Sequence, residues 1–131
     1  VRKLFPALDV SGTTPEGLCF EAIEKELIPG LPVGAVFRAR RPTGETYSVD
    51  LARLHPERDW ILSRILWLCG REWGKNRGPG VDTFRRFIYI HGTPDSEPMG
   101  VPLSHGCVRM RNADIIDLFD RVRPGTAVSI R

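Results

Sequence analysis

Thirteen glycines and eleven prolines are spread through 131 residues without gathering into a linker, and this punctuation limits the chain to short elements joined by many turns. Short strands fit between such breakers, and three stretches alternate accordingly: Leu18 to Ile23, Ala35 to Arg40, and Phe84 to His91. In the last, Phe87, Tyr89 and His91 share one face while Ile88 and Ile90 share the other, which puts His91 at a strand end. Trp60 to Cys69 is evenly balanced, because its length and apolar density suit a helix while the series Ile61, Ser63, Ile65, Trp67, Cys69 suits a strand. One helix is predicted over about residues 112–122. Asn112 is a good N-cap, Asp114 favours the first-turn dipole, and Ile115, Leu118, Phe119 and Val122 form an apolar stripe. Pro124-Gly125 stops it, and Thr126 to Arg131 alternates as a closing strand. The expected fold is mainly β with one docked helix near the C-terminus.

A chain of this length can bury one core without metal or disulfide staples, and neither a repeat nor a composition shift marks a second domain. One domain over 1–131 is expected. The longest apolar candidate, Trp60 to Cys69, is interrupted by Ser63 and Arg64, so no membrane span is expected in this chain. The net charge of +3, with Arg40-Arg41 and Arg85-Arg86 contributing, favours anionic partners only weakly. No recognition motif or aromatic-basic interleaving points to nucleic acid. Three cysteines, Cys19, Cys69 and Cys107, cannot all pair within the chain, and their spacing is not that of a CxxC motif. The opening VRKLFPALDV has too short an apolar stretch for a signal peptide, so the expectation is a removed leader or an excised piece.

The richest stretch for chemistry is His91-Gly92-Thr93-Pro94 followed, after a loop with Gly and Pro, by Ser104-His105-Gly106-Cys107-Val108-Arg109. A thiol attacks as thiolate, and an imidazole that takes its proton supplies the means. Two histidines are available. His105 shares a face with Cys107 if the segment is extended; His91 is reached if the loop returns Cys107 to the His91 strand. Gly106 permits close approach of a carbonyl, and the N–H groups around Gly106 and Cys107 are candidate oxyanion donors.

His91-Gly92-Thr93 followed by Ser104-His105-Gly106-Cys107 resembles the signature of the L,D-transpeptidases, the YkuD-like catalytic domains. The resemblance takes in Val81-Asp82-Thr83, the strand Phe87-Ile88-Tyr89-Ile90 and Thr14-Pro15-Glu16-Gly17, which is similar to the family's Thr-Pro-x-Gly turn. It implies a β-sandwich of mixed sheets, favours strand for Trp60 to Cys69, and implies that a strand or two before the turn are missing. By the same resemblance Cys107 is the nucleophile and His91 the base, with Gly92 orienting the imidazole through a backbone carbonyl. Ser104 and His105 shape the loop, and His105, Gly106 and Cys107 offer oxyanion N–H groups. Arg109, where some members carry asparagine, supports the loop or meets a substrate carboxylate. The implied substrates are peptidoglycan stem peptides, cleaved between diaminopimelate and D-Ala. An amine acceptor gives a cross-link, and water gives an L,D-carboxypeptidase. No metal or organic cofactor is implied. The cell envelope or periplasm is expected if a leader was removed, and the cytoplasm otherwise.

Other readings attach to the same residues. Taken singly, Cys107 is more often a small core residue than a nucleophile, and Cys19 and Cys69 are read as core thiols. His55 before Pro56 reads as a surface turn, and Arg109 equally as a structural charge. Zinc held by His91, His105 and Cys107 lacks a fixed fourth ligand. A non-catalytic module binding wall peptides in the same groove is the third class. The loop Gly74 to Gly80 and the turn at Thr43-Gly44 are candidates to line the acceptor site.

Overall fold

The computed structural model describes residues 19–99 and 107–130. Its strands are β1 (Cys19–Glu24), β2 (Ala35–Arg38), β3 (Arg41–Thr46), β4 (Ile61–Gly70), β5 (Tyr89–Thr93), β6 (Val108–Arg111) and β7 (Ala127–Ile130), with helices α1 (Val49–Leu54) and α2 (Asn112–Arg121). All seven strands join one sheet organised around β4. Along one side of β4 runs β5, antiparallel, with Ile65 opposite His91 and Trp67 opposite Tyr89. On the other side β1 pairs with the second half of β4, from Glu24 at Trp67 to Glu21 at Gly70, while β2 pairs with its beginning at Ile61 and Leu62. β3 lies outside β2 and β7 outside β1. β6 extends the sheet beyond β5 as its parallel neighbour, which makes the sheet mixed.

β4 explains the ambiguous apolar run. It is a strand with both faces covered, so its sequence carries hydrophobic residues almost continuously rather than alternately. Leu66 and Leu68 pack with Ile23, Ile90 and Val128 against Ile115, Leu118 and Phe119 of α2. Ile65 faces the opposite way into a second cluster with Ala35, Phe37 and Tyr89, against which Trp67 and Cys107 pack. Between these positions a register shift spans Leu62 to Ile65, where Ser63 has φ of 72° and is fully buried. This bulge turns Ser63 Oγ to accept from Gly34 N–H at 3.0 Å and to donate to Asn112 Oδ1 at 2.6 Å.

The mainly-β class and the C-terminal helix agree with expectation, and three boundaries are corrected. The Phe84 to His91 stretch enters the sheet only at Tyr89, because Phe87 sits in a turn with φ of 57°; His91 is therefore the middle of β5 and not its end. The Ala35 to Arg40 strand stops at Arg38, since Ala39 and Arg40 form the turn to β3 with φ of 48° and 71°. Asn112 is the first residue of α2 and Arg111 the N-cap, which makes no side-chain capping bond. The Asn112 amide ties strands together instead, accepting from Ser63 and donating to Thr93 O at 3.2 Å. Residues β3, α1 and β6 add elements that the periodicity did not single out. The Thr14 to Gly17 turn lies outside the described residues. Among the described residues, no helix is long and apolar enough to cross a membrane.

Candidate active site

Parallel pairing of β5 with β6 sets His91 opposite Arg109 and Ile90 opposite Val108. Cys107 immediately precedes β6, one position back along that register, so alternation places Cys107 and Arg109 on the same face as Tyr89 and His91. The contacts agree: Cys107 packs against the cluster containing Tyr89, whose ring meets that of His91 edge-on with centroids 6.1 Å apart. The sixteen-position offset in sequence between His91 and Cys107 is thus closed by strand pairing.

His91 is 1% exposed and its Nδ1 lies 2.6 Å from Gly92 O. A carbonyl oxygen only accepts, so Nδ1 carries the proton and Nε2 is left as the basic nitrogen. Gly92 can have no side chain here, because a Cβ would meet Asn112 Oδ1 and Leu62 O, each at 2.5 Å. The imidazole is held with a defined tautomer by packing on every side. Burial lowers its pKa below the ordinary value, and the Arg109 charge acts in the same direction against the Gly92 hydrogen bond and Asp59, which raise it. It is neutral at neutral pH and ready to receive a proton.

Cys107 Sγ donates to Phe87 O at 3.4 Å. Burial pushes its pKa up, a hydrogen bond from the Tyr89 backbone opposes this, and the charge of Asp59 adds to the rise. At neutral pH the two groups are therefore thiol and neutral imidazole, not thiolate and imidazolium. Asp59, just before β4, acts on His91, Cys107 and Tyr89 alike, a role no sequence signal had marked. It also lines an open cleft of about 670 Å³ with Phe37, Arg38, Thr43, Glu45, His55, Glu57 and Arg58. Phe37 also belongs to the cluster that Cys107 joins, while neither Cys107 nor His91 lines the cleft.

Arg109 is only 10% exposed and pairs with Glu97 at 3.5 Å, tying β6 to the loop after β5. Ser104, His105 and Gly106 lie outside the described residues. Cys69, farther along β4, has its pKa pushed up to about 11 by burial first and then by Glu24, Glu21 and Asp82, which makes it a poor nucleophile. His55 caps the end of α1 and lies 3.8 Å from Glu57. Among the described residues, no group of three or more His, Cys, Asp or Glu could hold a metal ion.

The sequence model of the YkuD family, described as the L,D-transpeptidase catalytic domain, matches residues 9–130. Among named relatives, "Probable L,D-transpeptidase YbiS" of Escherichia coli is 51% identical over 43 residues, covering 33% of this chain and 14% of that protein. "Probable L,D-transpeptidase ErfK/SrfK" of Salmonella typhimurium is 49% identical over 45 residues, 34% of this chain and 15% of the relative. YqjB of Bacillus subtilis, also named provisionally as an L,D-transpeptidase, is 38% identical over 61 residues, 47% of this chain and 34% of the relative. The matched stretches thus span from about a seventh to a third of these relatives' lengths. No solved structure matches the chain significantly.

Proposed function

This chain belongs to the YkuD family of L,D-transpeptidase catalytic domains, and on that premise we propose that it is a cysteine acyltransferase acting on peptidoglycan stem peptides. The observation that carries the reading is the common face of β5 and β6, where Cys107 and a His91 of fixed tautomer sit on neighbouring strands. In the proposed reaction the Cys107 proton passes to His91 Nε2 as sulfur bonds to the carbonyl carbon at the L-centre of diaminopimelate. Backbone N–H groups around Gly106 and Cys107 receive the oxyanion, with Ser104 and His105 shaping that loop. The C–N bond to D-Ala then breaks, the departing amine takes the proton from His91, and a thioester remains. An amine acceptor attacks the thioester to form a cross-link, regenerating the thiol. These steps call on no metal or organic cofactor.

Turnover of the same thioester by water, releasing D-Ala and leaving a tripeptide, is the second reading. The site's action in the cell envelope or periplasm follows if the protein is exported, and trimming of recycled peptides in the cytoplasm follows if it is not. The test is incubation of the parent and of Cys107→Ala with a disaccharide-tetrapeptide ending in diaminopimelate-D-Ala, with products read by mass spectrometry. Dimer that depends on Cys107 supports the transpeptidase, and tripeptide alone supports the carboxypeptidase. If neither product forms, or the variant matches the parent, the enzyme reading fails and wall-peptide binding without catalysis takes its place.

A further inference from the structure

Arg40 projects from the two-residue turn joining β2 to β3, where both Ala39 and Arg40 hold positive φ, a conformation that side chains with Cβ adopt at a cost. From this turn its guanidinium reaches across to the segment before β5. It lies 3.9 Å from the centre of the Phe84 ring and 4.2 Å from that of Phe87, and it donates to Phe84 O. Trp67 of β4 flanks it at 5.9 Å. The Nε atom is buried and has no hydrogen-bond partner, and among the described residues no carboxylate pairs with the group, Glu26 being bonded to Arg41 instead. A guanidinium cannot shed its charge, and the aromatic faces that hold it flat do not satisfy an N–H donor. The group is thus a half-buried cation without a carboxylate partner, and since Nε is enclosed, an incoming anion would meet the outer edge of the guanidinium.

Its position relates it to the thiol. Phe87, whose ring stacks on Arg40, supplies the carbonyl that accepts from Cys107. Trp67 is the register partner of Tyr89, and the charge of Arg40 is felt at the Tyr89 hydroxyl. Arg40 also lines, with Phe37, Ile65 and Trp67, a slot at the place where β1 and β2 part along β4; these three side chains belong to the cluster that Cys107 packs against. Arg109, the cation opposite His91, already has Glu97.

We propose that Arg40 is a specificity residue that receives a carboxylate of the donor peptide beside Cys107. This rests on the stem-peptide reading above and deepens it. The planar fork suits a carboxylate, and the two aromatic rings fix its plane before the ligand arrives, so little ordering remains to be done on binding. A donor tetrapeptide offers two such groups, the terminal carboxylate of D-Ala and the side-chain carboxylate of diaminopimelate, and the chemistry at Arg40 is the same for both.

The experiment measures binding by titration calorimetry in a Cys107→Ala background, so that turnover plays no part. Three tetrapeptides are compared: free acid, C-terminal amide, and diaminopimelate side-chain amide. Each is titrated into protein with Arg40 and with Arg40→Gln, which removes the charge and the fork but leaves a polar amide in the turn, and thermal melts accompany both. The expected result is that Arg40 protein prefers the free acid to one of the amides by tenfold or more, and that Arg40→Gln loses this preference while still melting cooperatively. Whichever amide is penalised identifies the carboxylate. Equal binding of all three by Arg40 protein, equal weakening of all three in the variant, or no binding of any would overturn the proposal. Selective binding together with an unreactive Cys107 in the parent protein would instead overturn the acyltransferase reading and leave Arg40 as a carboxylate receptor.

Discussion

Replacing Glu21 with Gln should stabilise the protein at alkaline pH and leave it nearly unchanged in acid. Glu21 is 3% exposed in β1, with Oε1 accepting from Thr83 Oγ1 at 2.9 Å and Asn76 Nδ2 at 3.3 Å and with Oε2 buried without a partner. Burial pushes its pKa from 4.5 up to about 7, Glu72 and Asp82 push the same way, and the two hydrogen bonds oppose it. A carboxyl raised in the folded state favours folding when protonated. Its contribution is fully present below about 4.5 and is lost as pH rises through about 7. At 1.36 kcal/mol for each tenfold change, the rise corresponds to about 3 kcal/mol between the acid and alkaline plateaus. Glutamine keeps an oxygen for Thr83 and Asn76 and never ionises. Urea unfolding followed by tryptophan fluorescence at pH 5 and pH 8 reads the difference; with a slope of about 1–3 kcal/mol per molar, the variant's midpoint should exceed the parent's by about 1–3 M at pH 8. Parallel pH dependences for parent and variant would refute this reasoning, because the buried carboxylate would then cost nothing.

Three other predictions concern the site and its supports. Because burial lowers the His91 pKa, the acid limb of kcat/KM against pH should fall below 6.5, and a limb above 7 would mean that His91 is not the group titrating. Gly92→Ala should cost more than about 3 kcal/mol or prevent folding, since its Cβ has no room between Asn112 Oδ1 and Leu62 O; a melt within two or three degrees of the parent would show that the strands can part there. Asn112→Ala strands Ser63 Oγ and the Thr93 carbonyl and should cost about 1–3 kcal/mol in chemical denaturation, an effect that Asn112→Asp, which keeps the acceptor for Ser63, should partly spare.

The sequence was legible where local chemistry matched local structure. The α2 stripe of Ile115, Leu118 and Phe119 is buried as its 3.6-residue spacing requires, and Pro124-Gly125 closes it. β4 was ambiguous for a physical reason: a strand buried on both faces has no polar alternation, and only its partners β1, β2 and β5 distinguish it from a buried helix. Asn112 misled because a side chain suited to capping can also be used to join strands, and Ser63 supplied the competing partner. Phe87 misled because alternation of apolar residues continued through a turn whose backbone departs from the strand. At the site, motif order identified Cys107, His91 and Gly92 as candidates. Asp59 and Arg40 were not legible, since they approach through the end of a loop and a hairpin turn distant in sequence, and nothing in their neighbours marks them.

The central claim is that Cys107 carries the acyl group, and intact-protein mass spectrometry of a quenched reaction tests it most directly. The parent, mixed with the tetrapeptide donor and quenched in acid, should gain the mass of the donor less D-Ala, mapped to the peptide containing Cys107. His91→Ala should acquire it at least about a hundredfold more slowly, and Cys107→Ala not at all. An unmodified parent, or an adduct that persists when Cys107 is alanine, would contradict the account.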